Sequence, residues 1–115
     1  MFTLLHNVAM SKTRDSLSYE FETCPEIGEA IEIIPGLKWL RLPLPFLLGH
    51  INVWLLRDGD SWMIIDTGIY SKDTRNAWRG VFKNALDSLP VSRVLATHLH
   101  PDHVGCAGWL CEYFD

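Results

Sequence analysis

The alternation of apolar and polar positions becomes regular only after the first quarter of the chain. Residues 1–28 are polar and irregular, and we predict a flexible tail there. Four short apolar-rich runs follow, with the lengths and flanking turn residues typical of β-strands. They occupy residues 30–34, 37–42, 51–57 and 61–66. Pro-Gly and Asp-Gly-Asp separate two of the pairs, so we predict antiparallel, mostly buried strands.

The period then changes to that of an α-helix. Ser71 is a suitable N-cap, and Asp73 places a negative charge in the first turn, where it suits the helix dipole. One apolar stripe follows: Trp78, Val81, Phe82, Ala85, Leu86 and Leu89. We predict an amphipathic helix that ends at Pro90, because proline cannot continue it.

The last quarter of the chain repeats this order on a smaller scale. A fifth strand is predicted over residues 91–96, and a second helix after His103. Its predicted apolar face consists of Ala107, Leu110, Cys111 and Phe114. Strands followed by alternating helices and strands indicate sheets covered by helices, a pattern that several α+β and α/β folds share.

The composition excludes several kinds of partner. The 115 residues carry a formal net charge of −4 with scattered Lys and Arg, so we expect no nucleic-acid partner. No stretch of about 18 apolar residues occurs, which predicts no membrane span. Cys24, Cys106 and Cys111 form no CxxC pair. They fit buried thiols in a reducing compartment, so we expect a cytoplasmic location.

The candidate chemistry is concentrated directly after the fifth strand. Three imidazoles and a carboxylate lie within six residues: His98, His100, Asp102 and His103. Side chains alternate along an extended chain, so His98 and His100 point the same way and can converge on one cation. Pro101 interrupts the extended path and lets the next two residues turn toward a neighbouring position. A lone histidine would be structural, but this grouping predicts a site for zinc, with iron or manganese as alternatives.

Two short motifs occur in order along the chain. Residues 64–68 read Ile-Ile-Asp-Thr-Gly, and residues 97–103 read Thr-His-Leu-His-Pro-Asp-His, followed by Gly105. Together they resemble the first motif and the H-x-H-x-D-H signature of the metallo-β-lactamase superfamily. Pro-Leu-Pro at 43–45 and Ile-Asn-Val-Trp-Leu-Leu at 51–56 resemble the opening strands of its glyoxalase-II-like hydrolases. The resemblance implies an α+β fold, the αββα sandwich, and covers about residues 30–115.

The same resemblance implies a role for each residue of the cluster. His98 and His100 would bind the first of two divalent metal ions, and Asp102 and His103 the second. Asp66 would lie beneath the site and orient ligands or water through hydrogen bonds. Asp66 and Asp102 are therefore the predicted catalytic carboxylates.

The reaction that the resemblance implies is metal-assisted hydrolysis. A water activated by the two ions, zinc by preference, would attack a small ester or thioester, as in hydroxyacylglutathione hydrolases. The expected partner is therefore a small-molecule substrate. Three alternatives stay open: a nuclease or phosphodiesterase of the same fold, a non-catalytic metal-binding half-domain, and di-iron redox chemistry.

The chain departs from the family pattern in one respect. The further ligands and the second sheet of the sandwich follow downstream in the family, so residues 29–115 would supply only the N-terminal half. His50 and His6 belong to no motif that would recommend them as substitutes. An exposed apolar half-sandwich invites self-association. We therefore expect the 115-residue chain to be inactive or unstable alone, and its natural product to be longer.

Overall fold

The computed structural model describes residues 23–45 and 49–115, in which one five-stranded sheet is flanked by helices. The strands, β1 to β5, are Ala30–Ile34, Leu37–Pro43, His50–Asp58, Ser61–Ile65 and Val91–Leu95. The helices, α1 to α3, are Lys72–Asn84, Pro101–Val104 and Ala107–Tyr113. All five predicted strands are therefore confirmed, with ends that differ by no more than one residue.

The sheet order follows the chain, and its last pair determines where the candidate site lies. Strands β1 to β4 pair antiparallel, as predicted, and β5 pairs parallel to β4 after the crossover through α1. Ile65 pairs with Leu95 at the ends of these two strands. Because both strands of a parallel pair end at the same edge, the segments after Ile65 and Leu95 emerge side by side.

The main core lies between one face of the sheet and helices α1 and α3. Trp62 on β4 and Trp78 on α1 are almost completely buried there, and Ser71 caps α1 by accepting a hydrogen bond from the Thr74 amide at 3.1 Å. Other strand and helix residues fill the same core: Leu40, Leu42, Val53, Leu55, Ile64, Val81 and Leu110.

The opposite face of the sheet carries a second, smaller apolar cluster. Its buried members are Leu37, Trp54 and Ile65, and partly buried neighbours extend it along β1 to β4. A sheet that is apolar on both faces is typical of an inner layer, whereas a sheet with one solvated face alternates apolar and polar residues.

Helix α1 ends earlier than the apolar stripe predicts. Its last residue is Asn84, and the chain turns through Asp87 and Ser88, whose φ angles are +54° and +62°. Nζ of Lys38 donates to the carbonyl of Ala85 and to Oδ2 of Asp87, the latter at 3.0 Å. The prediction of helix up to Pro90 is therefore wrong: the helix ends at Asn84, and Lys38 on a distant strand satisfies the free carbonyl of the C-cap.

The second predicted helix also differs from the expectation. Helix α2 begins at Pro101, before His103 rather than after it, and α3 follows from Ala107. On α3, Leu110 is buried as predicted, but Cys111 is exposed and does not belong to the packed face. Most of the predicted tail, residues 1–22, lies outside the described residues. Within the described part of the chain, no helix is long and apolar enough to span a membrane.

Candidate metal centre

The candidate site forms where the segments after β4 and β5 meet. Asp66 directly follows β4 and adopts a φ of +66°, which ends the strand one residue earlier than predicted. Its backbone N–H donates to the carbonyl of Leu95 at 2.7 Å. The left-handed backbone turns the chain away from the sheet while the residue stays only 5% exposed.

The three predicted histidine ligands come together above this carboxylate. The ring centroids of His98 and His100 are 4.6 Å apart, and those of His98 and His103 are 3.9 Å apart. His98 and His100 are exposed, whereas His103 is half-buried on α2. Helix α2 starts at Pro101 and turns His103 back toward His98, which agrees with the expected effect of the proline.

Asp66 is the polar centre beneath the rings. Its Oδ1 accepts a hydrogen bond from the backbone N–H of Thr97 at 2.8 Å. The hydroxyl of Thr97 lies 3.0 Å from Oδ1 and 2.9 Å from Oδ2. A buried carboxylate needs such donors, since desolvating it without them is costly. Asp66 therefore lies beside His103 with Thr97 as its main donor, and its role beneath a metal site stays a prediction.

His103 lies between two carboxylates. Its Nδ1 is 3.0 Å from Oδ2 of Asp66, and its Nε2 is 3.6 Å from Oδ2 of Asp102. Nδ1 is buried, but its contact with Asp66 lacks the alignment of a hydrogen bond, which leaves it without a hydrogen-bond partner. A metal-binding imidazole typically directs its second nitrogen at a carboxylate, and the Asp66 side of His103 is placed for that role.

The spacing of Asp102 and His103 suits two ligands of one ion. Two ligand atoms of a tetrahedral zinc, each about 2.0–2.1 Å from it, lie roughly 3.4 Å apart. The 3.6 Å between Asp102 Oδ2 and His103 Nε2 is close to that value. The donor types and this one pairwise distance therefore fit a divalent metal.

The arrangement does not form a complete metal site in the part of the chain that the structure describes. Among residues 23–45 and 49–115, no group of three or more His, Cys, Asp or Glu side chains is arranged to hold a metal ion. The assignment of His98, His100, Asp102 and His103 as ligands, and of two ions between them, therefore stays a prediction.

A buried threonine fixes the histidine loop to the loop after β4. Both the backbone N–H and the hydroxyl of Thr67 donate to the carbonyl of His103, each at 2.8 Å. The Thr67 hydroxyl accepts from the N–H of Cys106 at 3.1 Å, and the same N–H lies 3.1 Å from the carbonyl of Gly68. Sequence reasoning assigned no role to Thr67 or Thr97, although both belong to the motifs that it singled out.

Other candidates do not join the cluster. His50 begins β3 opposite Pro43, and burial and the neighbouring Arg41 guanidinium both lower the pKa of its imidazole. His6 lies outside the described residues. Cys106 is fully buried, and its thiol donates to the carbonyl of Ile69 at 3.4 Å, so it is the buried small residue that we expected.

Comparison with known proteins decides the family. The family model described as the metallo-beta-lactamase superfamily matches residues 47–115, more than half of the chain. This chain belongs to the metallo-β-lactamase superfamily. Its members are mostly metal-dependent hydrolases, and they usually bind divalent metals, often zinc.

Solved structures agree with this assignment. A beta-lactamase domain protein from Burkholderia ambifaria is 54% identical, with a TM-score of 0.76 over 82% of this chain and 29% of its own. A metallo-beta-lactamase family protein from Thermus thermophilus is 29% identical, with a TM-score of 0.61 over 70% of this chain and 27% of its own.

A more distant structure shows the fold alone. The metallo beta lactamase from Hirschia baltica is 21% identical, with a TM-score of 0.52 over 74% of this chain and 39% of its own. The chain spans less than a third of the length of the Burkholderia and Thermus proteins. The five-stranded mixed sheet with its helices is thus a part of the metallo-β-lactamase fold.

Proposed function

We propose that this chain carries the first half of the active site of a metal-dependent hydrolase that acts on small esters or thioesters. The observation that carries the proposal is the meeting of three imidazole rings with two carboxylates at one sheet edge. Structural histidines are usually solitary, whereas clustered imidazoles and carboxylates are the donor set of zinc enzymes. Superfamily membership supports the same chemistry.

Each side chain has a distinct task in this proposal. His98, His100 and His103 supply neutral imidazole nitrogens as ligands, together with the carboxylate of Asp102. Asp66, which is buried and accepts hydrogen bonds from Thr97, lies 3.0 Å from Nδ1 of His103 and would orient that imidazole from below. Divalent ions bound by this set would polarise a water molecule and the carbonyl it attacks.

Asp102 is the carboxylate placed for proton transfer. It is half-buried, and the neighbouring His98 and His100 are exposed, so the site is open to solvent on this side. A water held next to Asp102 can give a proton to the carboxylate oxygen that binds no metal as it attacks a carbonyl carbon. The proton would then pass to the leaving alcohol or thiol.

The charge of the chain favours a small substrate over a nucleic acid. The net charge is −4, and nucleic-acid backbones are bound by basic surfaces. A glutathione thioester or a simple ester needs no such surface. We therefore propose a small-molecule ester or thioester as the substrate and a phosphodiester as the less favoured alternative.

The first test measures metal binding by native mass spectrometry of the purified chain after addition of zinc. We expect the parent chain to bind zinc and the His98→Ala/His100→Ala variant to lose it, because two imidazole ligands are removed. His50→Ala is the matched control, since this histidine lies outside the cluster and should leave binding unchanged. Equal zinc binding by the parent chain and the double variant would contradict the assignment of the ligands.

The second test identifies the reaction. A zinc-loaded chain that includes the downstream half of the fold is assayed against a glutathione thioester, p-nitrophenyl acetate and bis(p-nitrophenyl) phosphate, beside the same double variant, because the 115-residue chain is expected to be inactive alone. We expect thioester or ester hydrolysis that the double variant lacks. Hydrolysis of the phosphodiester alone would instead assign a phosphodiesterase.

One observation supports a second candidate, a non-catalytic metal-binding half-domain. No group of three potential ligands in the described residues is arranged to hold a metal ion. A chain that binds a single zinc and hydrolyses none of the three probes would have this function. Turnover of any probe that depends on His98 and His100 would exclude it.

A further inference from the structure

Thr97 stands between the buried carboxylate and the first histidine of the cluster. Its hydroxyl oxygen is 3.0 Å from Oδ1 and 2.9 Å from Oδ2 of Asp66, and 2.9 Å from Nδ1 of His98. Its backbone N–H also donates to Asp66 at 2.8 Å. One residue therefore touches both the carboxylate beneath the site and an imidazole of the site.

The number of available protons fixes the direction of this hydrogen-bond chain. The Thr97 hydroxyl donates to the carboxylate oxygens of Asp66, and this donation uses the only proton that the hydroxyl has. On the side that faces His98, the hydroxyl oxygen then has only lone pairs, so it can accept a hydrogen bond there but cannot donate one. The contact with Nδ1 is a hydrogen bond only if Nδ1 carries the imidazole proton.

We propose that Thr97 is a positioning residue that holds His98 in the tautomer protonated at Nδ1. In a neutral imidazole one nitrogen carries the proton and the other a free lone pair, so Nε2 is left unprotonated. His98 thereby offers a ready acceptor nitrogen, Nε2, at the edge of the ring away from Thr97. The inference rests on the proposed metal-dependent function, because an unprotonated Nε2 has a role only if His98 binds a metal ion.

The rotation of the ring is fixed by the same contact. His98 is exposed, and its ring lies 4.6 Å from that of His100 and 3.9 Å from that of His103. An exposed histidine side chain would otherwise sample several rotamers. The Thr97 hydroxyl binds one edge of the ring and so directs the opposite edge, with Nε2, away from Asp66.

The test compares Thr97→Val with Thr97→Ser. Valine keeps the β-branched shape of threonine and removes the hydroxyl, whereas serine keeps the hydroxyl. The ring tautomer of His98 is measured by long-range ¹H–¹⁵N NMR on the metal-free 115-residue chain at about pH 8, above the ordinary histidine pKa of about 6.5. We expect protonation at Nδ1 in the parent chain and in Thr97→Ser, and a mixture of tautomers in Thr97→Val.

Zinc affinity gives the second readout. Removal of a hydrogen-bond partner of a metal ligand typically weakens metal binding about 10–100-fold. We expect that loss in Thr97→Val and a change below about threefold in Thr97→Ser. A tautomer shift in Thr97→Val with unchanged zinc affinity would overturn the positioning role.

The tautomer measurement separates this inference from the proposed function. Protonation of His98 at Nε2 in the parent chain would overturn the inference even if Thr97→Val failed to fold, and this result does not depend on any activity. Protonation at Nδ1 in a chain that binds no zinc would support the hydrogen-bond chain and count against the metal-dependent hydrolase. The amide ¹H–¹⁵N spectrum of each variant reports whether it is folded.

Discussion

The core beneath the helices and the sheet edge that carries the histidines are stabilised in different ways. In the core, Trp62, Trp78 and Ile64 are packed with aliphatic side chains, and their apolar area is removed from water. At the edge, Thr67 and Asp66 are equally buried, but they are satisfied by hydrogen bonds to the loop after β5. The core contributes non-directional burial energy, and the edge contributes directional contacts.

One side chain joins the two regions. Trp78 is completely buried on α1, and its indole N–H donates to the carbonyl of Thr67 at 2.8 Å. The core therefore also fixes the backbone of the Asp-Thr-Gly loop, on which Asp66 is carried. We therefore expect substitutions in the core to lower the free energy of unfolding through lost packing volume. Substitutions at the edge should lower it through lost hydrogen bonds or through steric clashes.

The largest effect is expected from Trp78→Ala. The substitution removes the indole from the core and leaves the Thr67 carbonyl without its donor, so we expect a loss of about 3–5 kcal/mol in the free energy of unfolding. Urea unfolding followed by circular dichroism measures it, with sucrose in every sample to stabilise the folded state.

Trp78→Phe separates the two contributions of this residue. Phenylalanine keeps much of the ring volume but cannot donate to the Thr67 carbonyl, and we expect a smaller loss of about 1–2 kcal/mol. If both variants unfolded at the same urea concentration, the indole hydrogen bond and not the packing would dominate. The expectation that core residues stabilise the chain mainly through packing would then be wrong for Trp78.

Gly105→Ala is expected to have the next largest effect. Its φ of −56° is open to any residue, so space is the obstacle. A Cβ atom there would lie 2.8 Å from the Tyr70 nitrogen and 2.9 Å from the Gly68 carbonyl oxygen. Backbone atoms cannot move aside as a flexible side chain can. We therefore expect the free energy of unfolding to fall by about 3 kcal/mol, the upper end of the range for overpacking. The urea midpoint measures it.

Gly108→Ala is the matched control for that change. Gly108 lies in α3, and a Cβ atom there would meet no atom within 4 Å. Alanine in an exposed helix position should stabilise the chain by about 0.5–1 kcal/mol. Destabilisation by both variants would mean that the close approach of Gly105 to the Gly68 loop is not the cause.

The two regions also differ in how much of them could be predicted from the sequence. The strands of the core follow from local runs such as residues 51–57, because apolar spacing within such a run indicates a buried strand. The end of α1 does not follow from local pattern. The chain turns there through the left-handed residues Asp87 and Ser88, and the carbonyl of Ala85 is bound by Lys38, which is 47 residues away along the chain. The apolar stripe, which includes Leu86 and Leu89, continues past the last residue of the helix, Asn84.

At the edge, the motifs predicted which residues meet but not how they are held together. The cluster of His98, His100 and His103 could be predicted from spacing and resemblance. The hydrogen bonds that Thr67 and Thr97 make to residues far away along the chain depend on the backbone after β4. The φ of +66° at Asp66, which accompanies these contacts, is only weakly indicated by the sequence, through the tolerance of Asp for left-handed backbone.

The smallest effect on stability is expected from a substitution of Cys106, which lies where the core and the edge meet. Burial raises the pKa of its thiol above the ordinary value of 9.0, against smaller opposing effects of a backbone hydrogen bond at Ser71 and of Arg75. The unfolded chain loses this proton first as the pH rises, while the folded chain retains it. The thiol therefore contributes its stabilisation fully below about pH 9 and loses it progressively above that value.

Cys106→Ala should remove this pH dependence, because alanine cannot ionise. Urea midpoints at about pH 8 and about pH 10 measure the difference, and the parent chain should lose more stability over this interval than the variant. Alkylation gives an independent check: Cys24 and Cys111 are exposed and should react with iodoacetamide in the native chain, while Cys106 should react only on unfolding. Equal labelling of all three thiols would mean that the backbone around Cys106 opens readily in the native chain. The hydrogen bonds of the edge would then protect this segment from the reagent far less than burial protects the core.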